Sequence, residues 1–227
     1  MTRPDDIEAI YPLSPLQHAM LLRSRLTPGS GVYVLQLSFD ILGAFDARAF
    51  RRAWQQVTAR HAVHRTCFLR LDQEQPLQIV RRTVELPWRE EDWSALPDAE
   101  QEARFAALLE ADRAEGFVPE RAPLLRCLLV RLAGDRHRFL WTRHHAVSDG
   151  WSMPTVLSEV VRCYQADQEG EAPGLGPVTQ YRDYIAWLRE REEAATEEYW
   201  RRSLAGVSGP TQLGTCLLYT SPSPRDS

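Results

Sequence analysis

Residues 124–152 have the sequence LLRCLLVRLAGDRHRFLWTRHHAVSDGWS, and they carry the clearest structural signals of the chain. The apolar runs 124–132 and 136–142 predict two strands, which are joined by a hairpin turn at Ala133-Gly134-Asp135. A polar loop follows the second strand, and a helix is predicted from about Ser152. Because a strand leads through a loop into a helix, this stretch indicates a protein that contains both α and β structure.

Helix and strand signals on either side complete the prediction. Ser14, Pro15 and Gln17 form a capping box that starts a helix, and this helix is predicted to end near Leu26. Periodicity and breaker residues predict the remaining elements: a strand over 33–41, a helix from Asp46 to about His61, strands over 67–71 and 77–80, an irregular segment over 88–96, a helix over 97–115, a linker over 169–177 and one long helix over 179–204. The resulting fold class is α/β (α+β type), with a mixed sheet and flanking helices.

Composition excludes several classes of function. The formal net charge is −4, so no cationic excess favours nucleic-acid binding. No apolar run approaches the roughly 20 residues of a membrane span. Cys67, Cys127, Cys163 and Cys216 are scattered, so neither a disulfide framework nor a metal site is predicted. We therefore expect a cytoplasmic protein without nucleic-acid, membrane or metal partners.

The adjacent residues His144 and His145 are the best candidates for chemistry. Neighbouring residues of an extended chain project to opposite sides, so the two imidazoles are poorly placed to share one metal ion. One of them can face a cleft, where imidazole is suited to proton transfer or to hydrogen bonding in a transition state. The alternative is that both histidines are purely structural.

Four segments, in order, resemble motifs of the condensation domains of nonribosomal peptide synthetases. Residues 144–150 (HHAVSDG) resemble the HHxxxDG signature, and three further segments agree with it: 11–21 (YPLSPLQHAML), 60–68 (RHAVHRTCF, with His64 where Leu is usual) and 181–187 (YRDYIAW, with Ile185 where Ala is usual). The resemblance extends over residues 5–206. Related acyltransferases share a shorter form of the histidine motif.

The resemblance implies a chloramphenicol-acetyltransferase-like fold of two lobes with the active site in a tunnel between them. It also implies a reaction of secondary metabolite biosynthesis, in which the amine of an acceptor aminoacyl thioester attacks a donor acyl or peptidyl thioester. Both substrates are carried on phosphopantetheine arms of carrier proteins, so the domain itself binds no cofactor. The implied partners are a downstream acceptor carrier protein and a donor peptidyl carrier protein, which we expect on an upstream subunit because only ten residues precede Tyr11.

Motif positions also imply the site residues. His145 is the catalytic candidate, either as the base that deprotonates the amine or as a hydrogen-bond donor to the tetrahedral intermediate. Gly150 is implied to permit a tight turn and to present its amide to the reacting carbonyl. Structural roles at the site are implied for His144, Asp149 and Arg65, and the last two are expected to form an ion pair.

Aromatic residues 181, 184 and 187 recur at helical spacing, and we expect them to pack in the core. The opening motif and the segment 149–152 further resemble subtypes that accept a donor ending in a D-residue. Three alternatives stay open: an epimerisation domain, a coenzyme A-dependent acyltransferase of the same fold, and a non-catalytic interaction domain.

The end of the chain departs from the rest in style. Residues 216–226, CLLYTSPSPRD, match the translation of a transposase adapter used in short-read library preparation over eleven consecutive codons; a flexible Ser/Pro-rich tail is the alternative. We therefore expect residues 1–214 to be the truncated N-terminal lobe of a condensation domain and residues 215–227 to be a non-native tail. The fragment without its C-terminal lobe is expected to be inactive and prone to aggregate.

Overall fold

The computed structural model describes residues 6–191 and 193–209, apart from the side chains of residues 193 and 194. The predicted adapter-derived tail lies outside these residues. In the described part the elements follow one another in this order: β1 (Ile7–Pro12), α1 (Pro15–Leu26), β2 (Val34–Leu42), α2 (Ala47–Arg60), a 3₁₀ helix (Ala62–Arg65), β3 (Thr66–Leu69), β4 (Leu77–Arg81), β5 (Trp88–Asp92), α3 (Asp98–Glu115), β6 (Leu125–Arg131), β7 (Arg136–His144), α4 (Ser152–Glu169), α5 (Tyr181–Arg189) and α6 (Glu193–Ser203). The chain divides after Arg189 into two compact units, and α6 belongs to the second.

Local signals place the first two long helices as predicted. The Ser14 hydroxyl accepts a hydrogen bond from the Gln17 amide at 3.1 Å, and the Gln17 side chain accepts one from the Ser14 amide at 3.1 Å. This capping box satisfies backbone donors that have no partner within the first turn of α1. Asp46 caps α2 in the same way, by accepting hydrogen bonds from the amides of Arg48 and Ala49.

The strands form two sheets, and the predicted mixed sheet is one of them. A three-stranded antiparallel sheet has the order β1-β4-β3, and a four-stranded sheet has the order β2-β7-β6-β5. In the larger sheet β7 pairs antiparallel with both β2 and β6, whereas β5 pairs parallel with β6. The predicted hairpin of β6 and β7 is therefore confirmed at the centre of this sheet.

Helices cover both faces of the larger sheet because its side chains alternate between them. From β7, Phe139 and Trp141 point to the face that packs on α2 and α4, where they meet Trp54. Leu140 points to the opposite face and packs with Phe105 of α3. The motif loop therefore begins at the end of the strand that has apolar packing on both of its faces.

Two predictions of secondary structure are wrong, and one strand was not predicted. The strand β1 was not predicted, and it pairs with β4 over most of its length. The segment 88–96, predicted as irregular, contains the edge strand β5. The predicted helix over 179–204 is divided into α5 and α6, although the sequence between them contains neither glycine nor proline. None of the helices in the described ranges is both long enough and apolar enough to cross a membrane.

Truncation of Phe139 tests the importance of the larger sheet. Phe139 is fully buried and contacts the rings of Phe50, Trp54 and Trp88. We expect Phe139→Ala to lower the free energy of unfolding by about 3–5 kcal/mol in urea denaturation, because it removes buried apolar contacts and leaves a cavity. Leu42→Ala on the paired strand is the control, since Leu42 is exposed and we expect a loss below about 0.5 kcal/mol. Similar losses in the two variants would contradict this assignment of the core.

Candidate active site

The loop that carries the histidine motif begins where β7 ends. His144 is the last residue of β7 and lies opposite Val34 of β2. The amide of His145 then donates a hydrogen bond to the carbonyl of Tyr33 at 2.8 Å, which continues the pairing by one residue. Tyr33 has a left-handed backbone with φ of 60°, which is uncommon for a residue other than glycine. The position of His145 therefore depends on a residue with a left-handed backbone that directly precedes β2.

His144 is buried, and its hydrogen bonds determine its tautomer. The amide of Ala146 donates to His144 Nδ1 at 3.1 Å, so Nδ1 carries no proton. His144 Nε2 lies 2.9 Å from the hydroxyl of Ser24, and this hydroxyl donates to the carbonyl of Val32. Burial, together with the neighbouring His145, lowers the pKa of His144 to about 4. His144 is therefore neutral near pH 7, carries its proton on Nε2 and holds the turn of the loop.

His145 projects to the other side and lines a cavity of about 400 Å³. The cavity lies between α1, the motif loop and α5, and the residues lining it include Gln17, Met20, Ser148 and Tyr181. His145 is half-buried, and its Nδ1 atom is buried without a hydrogen-bond partner in the described part of the chain. The opposite projection of the two histidines agrees with the expectation from the sequence.

Asp149 closes the loop onto the start of α4. Its carboxylate accepts a hydrogen bond from the Ser152 amide at 2.7 Å, and the Ser152 hydroxyl accepts one from the Asp149 amide at 2.9 Å. Burial alone would raise the pKa of the Asp149 carboxyl, but the hydrogen bonds from Ser152 outweigh this effect and hold the pKa below its usual range. Asp149 and Ser152 thus close the turn that leads into α4.

The prediction of an ion pair between Asp149 and Arg65 is wrong. Arg65 Nη1 lies 2.6 Å from the carboxylate of Glu8 on β1. The guanidinium also donates to the carbonyl oxygens of Ala59, Arg81 and Arg82. Because β1 was not predicted, the carboxylate that it brings to Arg65 was missed. Arg65 therefore links α2, β1 and the end of β4, and the structure does not bring it together with Asp149.

Gly150 and Trp151 lie at the exposed end of the loop. Gly150 does not adopt the left-handed conformation, and a Cβ atom at this position would meet no heavy atom within 4 Å. The hydrogen bonds between Asp149 and Ser152 close the turn around Gly150, and the role of the Gly150 amide stays a prediction. Trp151 is 91% exposed.

The aromatic residues of α5 form a surface row instead of core packing. Tyr184 is 44% exposed and Trp187 is 47% exposed, and their rings stack with a centroid distance of 5.9 Å. The buried residue of this helix is Ile185. Tyr181 is half-buried at the cavity and donates a hydrogen bond to the Ser14 hydroxyl at 3.3 Å. Burial raises the pKa of the Tyr181 phenol, so it stays protonated near neutral pH.

Two buried glutamines anchor the loop, and neither was predicted to do so. Gln17 Nε2 donates to the carbonyl of Ala146 at 3.1 Å. Gln78 of β4 donates to Gln17 Oε1 at 3.2 Å and to the carbonyl of Pro12 at 2.9 Å. The capping box identified Gln17 as a helix-start residue, but its contact with the loop depends on how α1 packs. The loop is thereby tied to both α1 and the smaller sheet.

Within the described residues, no group of three or more His, Cys, Asp and Glu side chains is arranged to hold a metal ion. The three described cysteines are buried and unbonded, and burial raises the pKa of each thiol. They are therefore poor nucleophiles near neutral pH. The histidine loop borders a cavity and is anchored by buried polar side chains.

Comparison with known proteins identifies the family. The sequence model described as "Condensation domain" matches residues 7–226, a range that includes most of the tail. One subunit of the linear gramicidin synthase of Brevibacillus parabrevis is 37% identical over 213 residues, which cover 94% of this chain and 3% of that protein. Another subunit of the same synthase is 40% identical over 208 residues, which cover 92% of this chain and 4% of that protein. The chain therefore belongs to the condensation-domain family.

Solved structures show the same fold. The chain is similar to the starter condensation domain of rhizomide synthetase, with a TM-score of 0.78, 23% identity and coverage of 90% of this chain and 50% of the other. It is also similar to the first condensation domain of the calcium-dependent antibiotic synthetase, with a TM-score of 0.76, 22% identity and the same coverage. The predicted chloramphenicol-acetyltransferase-like fold class is confirmed, and the chain spans about half the length of these solved domains.

Acid destabilisation tests the burial of histidines behind the loop. His64 is buried, and its burial together with the neighbouring side chains of His61 and Arg143 lowers its pKa to about 3. In the unfolded chain its pKa returns to about 6.5, so between pH 6.5 and 4 the unfolded state binds more protons. The free energy of unfolding should therefore decrease as the pH is lowered, by up to about 1.4 kcal/mol per pH unit for each of His64 and His144.

We expect His64→Leu to reduce this slope by about 1.4 kcal/mol per pH unit, because it removes one of the two histidines. The measurement is urea denaturation at several pH values between 7 and 4.5. Val161→Ala, an exposed change on α4 that alters no titrating group, should leave the slope as it is. An unchanged slope in His64→Leu would show that His64 is not buried in the neutral form.

Proposed function

We propose that this chain forms the first lobe of a condensation domain that makes an amide bond between carrier-bound thioesters. The observation that carries the proposal is the arrangement of the two histidines. His144 is neutral and locked by Ala146 and Ser24, whereas His145 lies on the cavity with Nδ1 free of any hydrogen bond in the described part of the chain. One imidazole therefore serves as the anchor, and the ring of the other lines the cavity in which we place the substrate.

The chemistry requires little beyond orientation and hydrogen bonding. The α-amino nitrogen of the acceptor attacks the thioester carbonyl carbon, and a C–N bond forms as a tetrahedral intermediate. The C–S bond then breaks, the amine loses a proton, and the departing thiolate takes one up. Because a thioester is already activated, no covalent enzyme intermediate is needed. This agrees with a site whose described cysteines are buried.

His145 is proposed to hydrogen-bond the amine or the intermediate. In a Ser-His-Asp triad a carboxylate holds the second imidazole nitrogen and stabilises the imidazolium. No carboxylate is bonded to His145 Nδ1 in the described residues, and the carboxylate of the motif, Asp149, accepts a hydrogen bond from the Ser152 amide instead. This arrangement favours positioning and stabilisation of the reacting groups over storage of a full proton on His145.

The substrates are proposed to be an acyl or peptidyl group and an aminoacyl group on the phosphopantetheine arms of carrier proteins. Membership of the family supports this, because the matched relatives are subunits of peptide synthetases. The domain itself is proposed to hold no cofactor. The D-residue preference and the arrival of the donor carrier on an upstream subunit stay predictions.

The domain boundary is also a proposal. We propose that residues 1–214 are one lobe of a two-lobed domain, which the 50% coverage of the solved relatives supports, and that residues 215–227 are adapter-derived. Genomic DNA sequenced across codon 215 is expected to leave the CLLYTSPSPRD frame and to encode the second lobe. A genomic frame that encodes the tail as given would overturn the adapter assignment.

Loss of His145 tests the proposed reaction. In the complete synthetase module, we expect His145→Ala to lower the rate of amide formation between carrier-bound substrates by about 10²–10⁴-fold. The product is measured by mass spectrometry of the acceptor carrier protein. Val161→Ala is the matched control, because Val161 is exposed on α4 and lines no described cavity.

Three outcomes would count against the proposal. Retention of the rate by His145→Ala would remove the assigned role. Turnover of soluble acyl-coenzyme A by the wild type, with none of carrier-bound donors, would favour a coenzyme A-dependent acyltransferase. Loss of the acceptor's stereochemical configuration without amide formation would favour an epimerisation domain.

A further inference from the structure

Arg143, which directly precedes the two histidines, is buried beneath the motif loop. It is only 4% exposed. Its guanidinium carbon lies 4.1 Å from the centre of the Trp141 ring, which is a cation–π distance. Its Nε atom donates to the Ser148 hydroxyl at 3.2 Å, and its Nη2 atom lies 3.5 Å from the sulfur of Met153. Arg143 therefore contacts the strand, the loop and the start of α4 at once.

The charge of Arg143 is unusual for such a buried place. Within the described residues no carboxylate forms an ion pair with it, and its Nη1 atom is buried without a hydrogen-bond partner. Burial lowers the pKa of the guanidinium, and nearby Asp149 acts in the opposite direction. A buried cation without a paired anion is costly. The stability of the lobe therefore does not explain why an arginine occupies this position.

The contacts of Arg143 lead into the hydrogen bonds of the loop. The Ser148 hydroxyl lies 3.1 Å from that of Ser152, and Ser152 exchanges hydrogen bonds with Asp149. Arg143 and His145 are two residues apart on an extended backbone, so they project to the same side. The side chain of Arg143 thus contacts the loop segment between His145 and Ser152 through Ser148.

We propose that Arg143 is a positioning residue. It stacks on the Trp141 ring and donates a hydrogen bond to Ser148. These contacts keep the loop in the conformation in which His145 lines the cavity. This inference rests on the proposed function, because it assigns a role in the step that His145 serves. The proposed role predicts a lower kcat with little change in KM, because Arg143 lines no part of the described cavity and is too buried to contact substrate.

The test measures kcat and KM for amide formation in the complete synthetase module. We expect Arg143→Met, which keeps an apolar contact with Trp141, to lower kcat by about 10–100-fold while KM for each carrier-bound substrate changes less than about twofold. Ser148→Ala removes the partner of Arg143 and should give a loss of similar size. Because both act through one contact, the double variant should lose little more than either single variant.

Two further variants separate geometry from charge. Arg143→Lys keeps the charge but loses the planar group that both stacks on Trp141 and donates to Ser148, so its kcat should stay within about threefold of that of Arg143→Met. Arg136→Met is the matched control on the same strand, since Arg136 bonds Asp98 and Gln101 at distances of 3.4–3.5 Å, away from the loop. It should keep the wild-type kcat.

The outcomes distinguish this inference from the proposed function. If His145→Ala abolishes activity but Ser148→Ala and Arg143→Met keep the wild-type kcat, the role of Arg143 is refuted and the proposed function stands. Full recovery in Arg143→Lys, or multiplicative losses in the double variant, would also overturn the role. If His145→Ala retains activity, the proposed function fails first. Should Arg143→Met not fold, the kcat of Arg143→Lys relative to that of the wild type decides the question.

Discussion

The pairing of β7 with strands on both of its sides is the constraint on which the candidate site depends. Because β7 is hydrogen-bonded to β2 and β6 and packed on both faces, the direction of each of its side chains is fixed. The strand ends at His144, so the alternation that buries Phe139 and Trp141 also sends His144 and His145 to opposite sides. Because the strand ends at His144, this histidine is buried and anchors the loop, whereas His145 lines the cavity.

The placement of charge around the loop illustrates what a motif does not specify. The motifs contain an arginine and an aspartate that are natural partners, yet Arg65 bonds Glu8 and Asp149 bonds Ser152. The partner of Arg65 is selected by β1, which carries Glu8 into the smaller sheet next to the end of the 3₁₀ helix. Pairing between distant strands therefore decided which carboxylate was available.

Predictions from the sequence succeeded where the signal was local. Both capping interactions, at Ser14 and Asp46, involve residues within three positions of each other. The strand β5 escaped prediction because it is a polar edge strand of WREED, whose conformation is set by pairing with β6. The division between α5 and α6 escaped prediction because the helical periodicity continues across it. The motif loop itself was recognised, but its anchors Tyr33 and Gln17 lie far away in sequence.

Two of the features that sequence patterns missed at the site are locally unfavourable. Tyr33 has a left-handed backbone, and Arg143 holds a buried charge with one unpartnered N–H group. Local propensity and burial rules argue against each of them, and such violations concentrate at functional sites. Tyr33 accepts a hydrogen bond from the amide of His145, and Arg143 lies two residues before His145 in the chain. Features that destabilise the fold but fix the shape of the loop are what pre-organisation of a catalytic loop requires.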